Sequence, residues 1–283
     1  MPTPRSDLRT RWLVTGPPLV FLLAFFLAPA LIIVAASFRF PGEFGGLAPL
    51  FPAHPGEEGG VTAENYRVFF GDSVYFEIFL KSFAVAALTT LACLAMAYPV
   101  ALLIARSPKR HRDLMVLLCV LPFASNFLVR VYAWMIMLGP FGLLFSQTAV
   151  LLAMVYVHLP FMILPLYTNL EKHDPALLDA AQDLGANGWQ RFWRVTFPLS
   201  LPGVFAGSAL VFIPVLGMFA IPEILGGIGD WLVGNMIKEA FLGVRDWPFG
   251  SMLSIMLTLC VLAIAAGAAW LAGRLGASET ARA

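Results

Sequence analysis

Long apolar runs alternate with short polar segments along most of this chain. Six of the runs have about twenty residues or more, which is the length that a helix needs to cross the hydrocarbon core of a bilayer. The pattern predicts an all-α polytopic membrane protein with six transmembrane helices. The six predicted spans are approximately 13–37, 79–105, 114–138, 148–170, 203–226 and 249–273.

The same pattern predicts the domain organisation. We expect a short tail over residues 1–12, a single transmembrane domain over 13–273 and a second tail over 274–283. Within that domain the two longest polar stretches are 38–78 and 171–202. The first apolar run is not expected to be a cleaved signal, because it is too long and no small-residue cleavage site ends it.

Composition agrees with a membrane protein and argues against several functions. Hydrophobic residues make up 59% of the 283 residues and charged residues only 12%, which leaves too little polar surface to cover a soluble globule. The net charge of +1 gives no reason to expect a nucleic-acid partner. The three cysteines lie in apolar runs and the four histidines are scattered, so we expect packing roles for the cysteines and no metal site.

Lysine and arginine residues predict the orientation, since cytoplasmic loops carry an excess of them. If consecutive runs cross the membrane in turn, twelve of the 18 basic residues fall on one side. They precede the first span, crowd the loop at 106–112, and recur in 171–202 and in the C-terminal tail. We therefore expect both termini and the 171–202 segment to face the cytoplasm, and 38–78 to be the longest outer loop.

The inward polar segment carries the signals of two short helices. Asp174 and the proline after it form a helix start signal, and Gly185 is placed where that helix would stop. Asn187 can cap a second helix, with Gln190 three residues later as in a capping box. Pro198 and Pro202 are expected to end the second helix, because proline has no N–H to donate.

This segment resembles the coupling loop of the membrane subunits of ABC-type importers. In that family Glu-Ala-Ala is followed after three residues by Gly and, after nine more, by Ile-x-Leu-Pro. Order and spacing are the same here, with Asp in place of Glu, Val in place of Ile and Phe in place of Leu. The matching residues are Asp179, Ala180, Ala181, Gly185, Val195, Thr196, Phe197 and Pro198.

The resemblance implies that the 171–202 segment is a pair of coupling helices in a groove of an ATP-hydrolysing subunit. Asp179 would then make an ion pair or a cap at that interface. Gly185 would be the most demanding position, because a residue with a Cβ resists a left-handed helix stop. From the residues alone, the alternative is an ordinary loop helix that lies on the membrane surface.

Three further stretches resemble the first permease subunit of spermidine/putrescine importers. They are Val-Arg-x-Tyr-Ala-Trp at 129–134, Pro-Glu-Ile-Leu-Gly-Gly at 222–227 and Trp-Pro-x-Gly-Ser at 247–251. This resemblance implies the six-helix fold of type I ABC importer permeases and a polyamine cargo. Related permeases for other solutes share the same scaffold, so another small solute is the alternative cargo.

Polar side chains within the spans are candidates for a substrate path, because an ion at mid-span costs about 3 kcal/mol. Arg130 and Glu223 both fall in the outer third of their spans, where they could form an ion pair or share a water cavity; snorkelling to the headgroups is the alternative. A polyamine also needs carboxylates and aromatic faces, although aromatic residues near an interface are often belt anchors. The candidates are Ser125, Asn126, Arg130, Tyr132, Trp134, Glu223, Asp230 and Trp231.

The chain contains no G-x-x-x-x-G-K-[ST] phosphate cradle and no catalytic motif, so we expect neither an enzyme nor a bound cofactor. The resemblance implies import by alternating access across a bacterial inner membrane. It also implies two cytoplasmic subunits that bind ATP and magnesium, a second permease subunit that is a different chain, and an extracytoplasmic solute-binding protein. A secondary transporter and a membrane scaffold without a transport role are the alternatives, although no inverted pair of broken helices is evident.

Overall fold

The structure is a computed structural model that describes residues 4–51 and 59–280, with side chains over 14–51 and 59–267. Within these residues the backbone is almost entirely helical, and its extended pairings are two isolated antiparallel bridges in the 39–61 region. The helices are α1 Pro4–Ser37, α2 Glu64–Gly71, α3 Ser73–Arg106, α4 Lys109–Val120, α5 Phe127–Leu138, α6 Gln147–Leu170, α7 Ala176–Asp183, α8 Gly188–Arg191, α9 Phe197–Leu216, α10 Ala220–Leu225, α11 Val233–Lys238 and α12 Trp247–Thr280.

Several of these helices are suited to a bilayer. In the described part of the chain, five helices are long and apolar enough to cross a membrane, or six if α4 and α5 together form one broken span. Four of the five lie within or coincide with α1, α3, α6 and α12, and the fifth is the helical run of Gly188–Leu216, which ends with α9. The prediction of an all-α polytopic membrane protein is confirmed.

The predicted span 114–138 is not one continuous helix. A 3₁₀ turn at Leu121–Ala124 follows α4, and the two helical segments on either side of the break meet at 91°. Ser125 is extended, with ψ of 151°, and Asn126 begins α5. The break follows Pro122, whose ring removes one backbone donor from the helical ladder. The predicted third span therefore corresponds to two helices separated by a sharp bend, α4 and α5.

The predicted span 203–226 also divides. Helix α9 ends at Leu216 and a separate short helix, α10, begins at Ala220. Pro222 lies in the first turn of α10, where the absence of its N–H costs no intrahelical bond. Glu223 therefore lies on a short helix of its own rather than at the end of a long span.

The helices form two compact units. One unit comprises the segments before Val74 and after Asn235, in which α1 and α2 pack against α12. Asn65 of α2 is buried, and its side chain donates to the carbonyls of Ser37 and Arg39 at 3.0 and 3.1 Å. The described residues of the 38–78 segment therefore include a helix that is tied to the end of α1.

The other unit, Val74–Asn235, is built on the contact between α6 and α9. Met162 and Leu166 of α6 and Val211 and Val215 of α9 are all fully buried in it. The inward segment with α7 and α8 connects these two helices directly in the chain. It is therefore held at both ends by the most extensive helix pair of its unit.

Candidate functional site

The first helix of the inward segment, α7, begins and ends as its sequence predicts. The Asp174 carboxylate accepts a backbone N–H of the first turn at 2.9 Å. At the other end Gly185 has a φ of +79°. Its N–H donates to Gln182 O at 2.8 Å, and the N–H of Ala186 donates to Ala181 O at 3.0 Å. Together these two bonds form a Schellman stop, in which the left-handed residue is usually glycine.

The second helix, α8, starts as predicted but does not end as predicted. Asn187 and Gln190 form both bonds of the capping box, at 2.9 and 3.0 Å. Instead of stopping before Pro198, the chain continues through the π-helical turn Phe192–Thr196 into α9. Proline is tolerated in the first turn of a helix, and Pro198 occupies that place in α9. Pro202 lies inside α9, so the prediction that Pro198 and Pro202 end the helix was wrong.

Aromatic and polar side chains connect the end of the inward segment to the long helices α3 and α9. Tyr98 of α3 meets Phe192 edge to face, with ring centroids 5.5 Å apart, and its hydroxyl lies 2.8 Å from the hydroxyl of Ser200 on α9. Arg191 donates to the side-chain oxygen of Gln182 at 2.6 Å, which connects α8 to α7. The π-helical turn after α8 is therefore attached to α3, which is bonded to α9, and α8 is attached to α7.

Much of the inward segment is exposed on this chain. The large apolar side chains of Leu184 and Trp189 are 89% and 71% exposed. Asp179, Ala180 and Gly185 are also exposed, so the most distinctive part of the motif is accessible. Of the remaining predicted coupling residues, Pro198 is exposed and Ala181, Val195 and Phe197 are partly buried.

An ion pair lies where the inward segment leaves α6. Arg112 of α4 and Glu171 are 2.9 Å apart, with side chains 21% and 36% exposed. Both line a cavity of 440 Å³ that also borders Arg106, His173 and the buried Thr196. The cavity lies between α7, the C-terminal ends of α3 and α6 and the start of α9, so α7 does not pack tightly against them there.

We expect the Arg112–Glu171 pair to support transport by holding the start of the inward segment. Glu171→Lys should lower uptake of the cargo severalfold, because it places two positive charges together beside the cavity. Its effect on stability should stay below about 1 kcal/mol, since partly exposed ion pairs contribute little. The measurement is uptake by cells that produce equal amounts of each variant. The swapped pair Arg112→Glu with Glu171→Arg should recover activity; a double variant no better than Glu171→Lys would contradict the prediction.

The predicted substrate-path residues Ser125 and Asn126 lie at the break between α4 and α5. The Asn126 side chain accepts the N–H of Leu128 at 2.8 Å and so caps α5. The Ser125 hydroxyl donates to the carbonyl of Pro122 at 2.8 Å. Both side chains are exposed on this chain. Their local hydrogen bonds stabilise the sharp turn, and a role in contacting a substrate stays a prediction.

Asn126→Ala should destabilise the purified protein by about 1 kcal/mol, because α5 loses the side-chain cap of its first turn. Asn126→Ser keeps an oxygen that can cap and should restore most of that loss. The measurement is the thermal denaturation midpoint of each detergent-purified variant. Equal midpoints for Asn126→Ala and the parent chain would show that the cap does not hold the break.

The remaining substrate-path candidates within the predicted spans differ in the side chains that surround them. The Arg130 guanidinium lies 5.6 Å from the ring centroid of Phe123, a cation–π contact. Helices α5 and α10 pack against each other, so Arg130 and the exposed Glu223 lie on neighbouring elements; their ion pair stays a prediction. Tyr132 is 48% exposed, whereas Trp134 packs edge to face on Tyr156 at 5.5 Å.

Asp230 has a partner that the sequence pattern did not reveal. Its Oδ1 lies 3.2 Å from Nζ of Lys81 on α3, and its Oδ2 accepts the N–H of Gly227 at 2.9 Å. Lys81 lies inside a predicted span, where a charged side chain is expected to have a partner. The local sequence pattern does not predict that partner, because Asp230 is 149 positions away in the chain. Trp231, beside Asp230, is 44% exposed.

The described residues contain no group of three or more His, Cys, Asp or Glu side chains that could hold a metal ion. Cys93 is buried with its Sγ 3.6 Å from the carbonyl of Val155, a packing position within the α3–α6 contact. The candidate functional features of the described residues are therefore the structured inward segment and the charged and aromatic side chains discussed above.

Comparison with solved structures supports the fold. One chain in the crystal structure of a bacterial ABC transporter involved in the import of the acidic polysaccharide alginate aligns with a TM-score of 0.71. The alignment covers 95% of this chain and 98% of that chain, at 16% sequence identity. At that identity the similarity shows a shared fold and nothing about the cargo.

Comparison with known sequences identifies the family. The chain is 37% identical over 272 residues to the spermidine/putrescine transport system permease protein PotB of Escherichia coli (strain K12), covering 90% of this chain and 94% of that protein. It is 40% identical over 256 residues to the protein of the same name from Haemophilus influenzae, covering 84% and 86%. Residues 97–278 match the model of the binding-protein-dependent transport system inner membrane component. The chain therefore belongs to the family of inner membrane components of binding-protein-dependent transport systems.

Proposed function

We propose that this chain is the permease subunit of an ATP-driven importer and that its cargo is a polyamine, spermidine or putrescine. The inward segment is the observation that carries the first part. The first helix has a capped start and a Schellman stop, the second begins with a capping box, and Leu184 and Trp189 are exposed for a partner. The π-helical turn that follows α8 contacts Tyr98 of α3 through Phe192. The similarity to two proteins named as spermidine/putrescine permeases supports the second part.

Three kinds of partner follow from this proposal. Two cytoplasmic ATPase subunits bind ATP and magnesium, and one of them receives α7 and α8 of this chain. A second permease subunit, a different chain, completes the translocation path. An extracytoplasmic binding protein delivers the cargo, in agreement with the dependence on a binding protein that the family's name states.

The mechanism is alternating access. Closure of the ATPase subunits displaces α7, and the contacts of Tyr98 with Phe192 and Ser200 transmit the movement to α3 and α9. The 440 Å³ cavity behind α7 leaves room for this displacement. Asp179, exposed on the first coupling helix, is available for an ion pair with the ATPase. The membrane orientation follows from the basic residues, with the inward segment and both termini in the cytoplasm.

The cargo test is uptake of radiolabelled spermidine and putrescine. Cells that lack this chain, but produce the other subunits at normal levels, should lose uptake and regain it when the intact chain is restored. Unchanged uptake in cells that lack the chain would reject the polyamine cargo, and other solutes would then be screened in the same cells.

A separate measurement tests the energy source. The chain, purified with a tag from its own membranes, should retain two ATPase subunits, and Leu184→Glu should weaken that association by charging an exposed apolar contact. A secondary transporter would retain no ATPase, and its uptake would follow an ion gradient rather than ATP. If substitutions in α7 and α8 do not weaken the association with the ATPase, the coupling assignment is rejected.

A further inference from the structure

The ion pair between Lys81 and Asp230 has the composition of a binding site for a primary ammonium group. Nζ of Lys81 is 3.2 Å from Oδ1 of Asp230 and donates a hydrogen bond to the carbonyl of Gly229. A carboxylate and a backbone carbonyl therefore converge on one alkylammonium, which has three N–H donors to share between them. Here the alkylammonium belongs to the protein itself.

The acceptors of this site are held by bonds that do not involve Lys81. The second carboxylate oxygen of Asp230 accepts the N–H of Gly227 at 2.9 Å, and the Asp230 N–H donates to the carbonyl of Gly227 at 2.9 Å. The N–H of Val233 donates to the buried hydroxyl of Ser82 at 2.9 Å, which attaches the same loop to α3. The carboxylate would therefore keep its place if the Lys81 ammonium moved away.

The pair is also accessible. The side chain of Lys81 is 30% exposed and that of Asp230 is 17% exposed, so solute can reach the ammonium while the carboxylate stays partly desolvated. Lysine carries its charge on a flexible four-carbon stem, which can swing aside without any change in the backbone. Exchange of one ammonium for another conserves charge at the site, so it avoids leaving a partly buried carboxylate without a counter-ion.

We propose that Lys81 occupies a primary-ammonium binding site, made by the Asp230 carboxylate and the Gly229 carbonyl, and that a primary ammonium of the cargo displaces it. The inference deepens the proposed function, on which the identity of the cargo rests. Asp230 then contacts the cargo directly, and Lys81 is a tethered competitor that keeps the site neutral when no cargo is present. Aliphatic amines are the ligand class, because their charged end is chemically the same group as the end of the lysine side chain.

The test is equilibrium dialysis of radiolabelled spermidine against the complete transporter in nanodiscs, without binding protein or ATP. Lys81→Met keeps the length of the side chain but removes the competing charge, so it should bind spermidine about tenfold more tightly than the parent. Adding Asp230→Asn to Lys81→Met should abolish that gain. Lys109→Met, which removes an exposed lysine from the start of α4, is the matched control and should bind like the parent.

Two chemical controls identify the group that binds. N,N′-Diacetylputrescine has no primary ammonium and should gain nothing from Lys81→Met, whereas n-butylamine has a single ammonium and should share part of the gain. The butylamine measurement also tests the ammonium site independently of the identity of the cargo. Absence of polyamine uptake in cells would reject the cargo, while tighter butylamine binding by Lys81→Met would still support the ammonium site.

A purely structural ion pair would give the opposite result. Lys81→Met would then bind neither amine more tightly, its denaturation midpoint would fall, and Lys81→Arg would restore that midpoint. Either unchanged or weaker amine binding by a folded Lys81→Met transporter overturns the proposal. If Lys81→Met does not fold, Lys81→Gln provides the same comparison, with a neutral polar side chain in place of the ammonium.

Discussion

Leucine in place of Gly203 is expected to separate α6 from α9 and to leave little folded protein. A Cβ at Gly203 would lie 2.7 Å from Cβ of Asn169 and 3.1 Å from the carbonyl oxygen of Pro165. Both atoms are fixed by the backbone of α6, so neither can move aside alone. A Cβ at Gly207, one turn further along, would lie 2.7 Å from Sδ of Met162, in a flexible side chain, and 3.3 Å from the backbone carbonyl oxygen of Met162. Gly203 is therefore the stricter of the two positions.

The expected cost of Gly203→Leu is about 3 kcal/mol, the upper end of what is usual when tightly packed interiors are overfilled. It should appear as a much lower yield of monodisperse detergent-purified protein and a lower denaturation midpoint. Gly207→Ala should be milder, because Met162 can adjust. Ala206→Leu adds similar bulk on an exposed face of the same helix and is the matched control. A Gly203→Leu protein that melts like Ala206→Leu would show that α6 and α9 do not need this close approach.

The spacing of Gly203 and Gly207 is visible in the sequence, since two glycines four residues apart on a membrane helix favour close helix contact. The hydrophobic pattern alone marks this stretch only as part of an apolar span. Nothing in the spacing identifies the partner helix, because residues 162–169 of α6 meet the glycines only after the inward segment has reversed the chain direction. The existence of the spans was predictable, whereas their pairing was a tertiary property.

Local signals predicted the inward segment well. A Schellman stop at Gly185 and a capping box at Asn187 depend on residues at most five positions apart, and the structure contains both. The predictions failed at prolines, because a proline can either break a helix or lie in the first turn of a new one. Pro122 lies at a sharp break between α4 and α5, whereas Pro198 begins α9 without any break, and the choice depends on which neighbouring helices replace the missing backbone bonds.

For the candidate substrate path, too, the local sequence predicted which residues could take part but not their tertiary contacts. Residue type was enough to select Asp230 as a carboxylate near the outer ends of the spans. Its pairing with Lys81 required the loop after α10 to lie against α3, which no local pattern encodes. Trp134 was selected as an aromatic candidate, and the structure packs its ring against Tyr156 instead of leaving it open. Side-chain chemistry identifies candidates, and packing decides which of them face a solute.

Gly185→Val is expected to abolish most transport while the protein remains inserted and stable. The φ of +79° at Gly185 places it in the left-handed region, where a residue with a Cβ costs roughly 1–2 kcal/mol and a β-branched one costs more. The added side chain meets no other atom within 4 Å of its Cβ, so the strain acts through the backbone alone. Relief of that strain opens the Schellman bonds and changes the direction in which the chain leaves α7.

In the proposed function, α7 and α8 present one fixed surface to an ATPase subunit. If the substitution disfavours the native helix stop by about 1.4 kcal/mol relative to other conformations, the stop is about tenfold less populated relative to them, and uptake should fall by about tenfold. Gly188→Val is the matched control, because a Cβ there also meets nothing within 4 Å and its φ is not positive. Gly185→Asn should keep most activity, since asparagine adopts the left-handed conformation readily. The measurement is polyamine uptake at matched membrane levels of each variant. Full uptake by Gly185→Val would show that coupling does not depend on this helix stop, and normal uptake by Gly185→Asn with loss in Gly185→Val would trace the defect to backbone conformation alone.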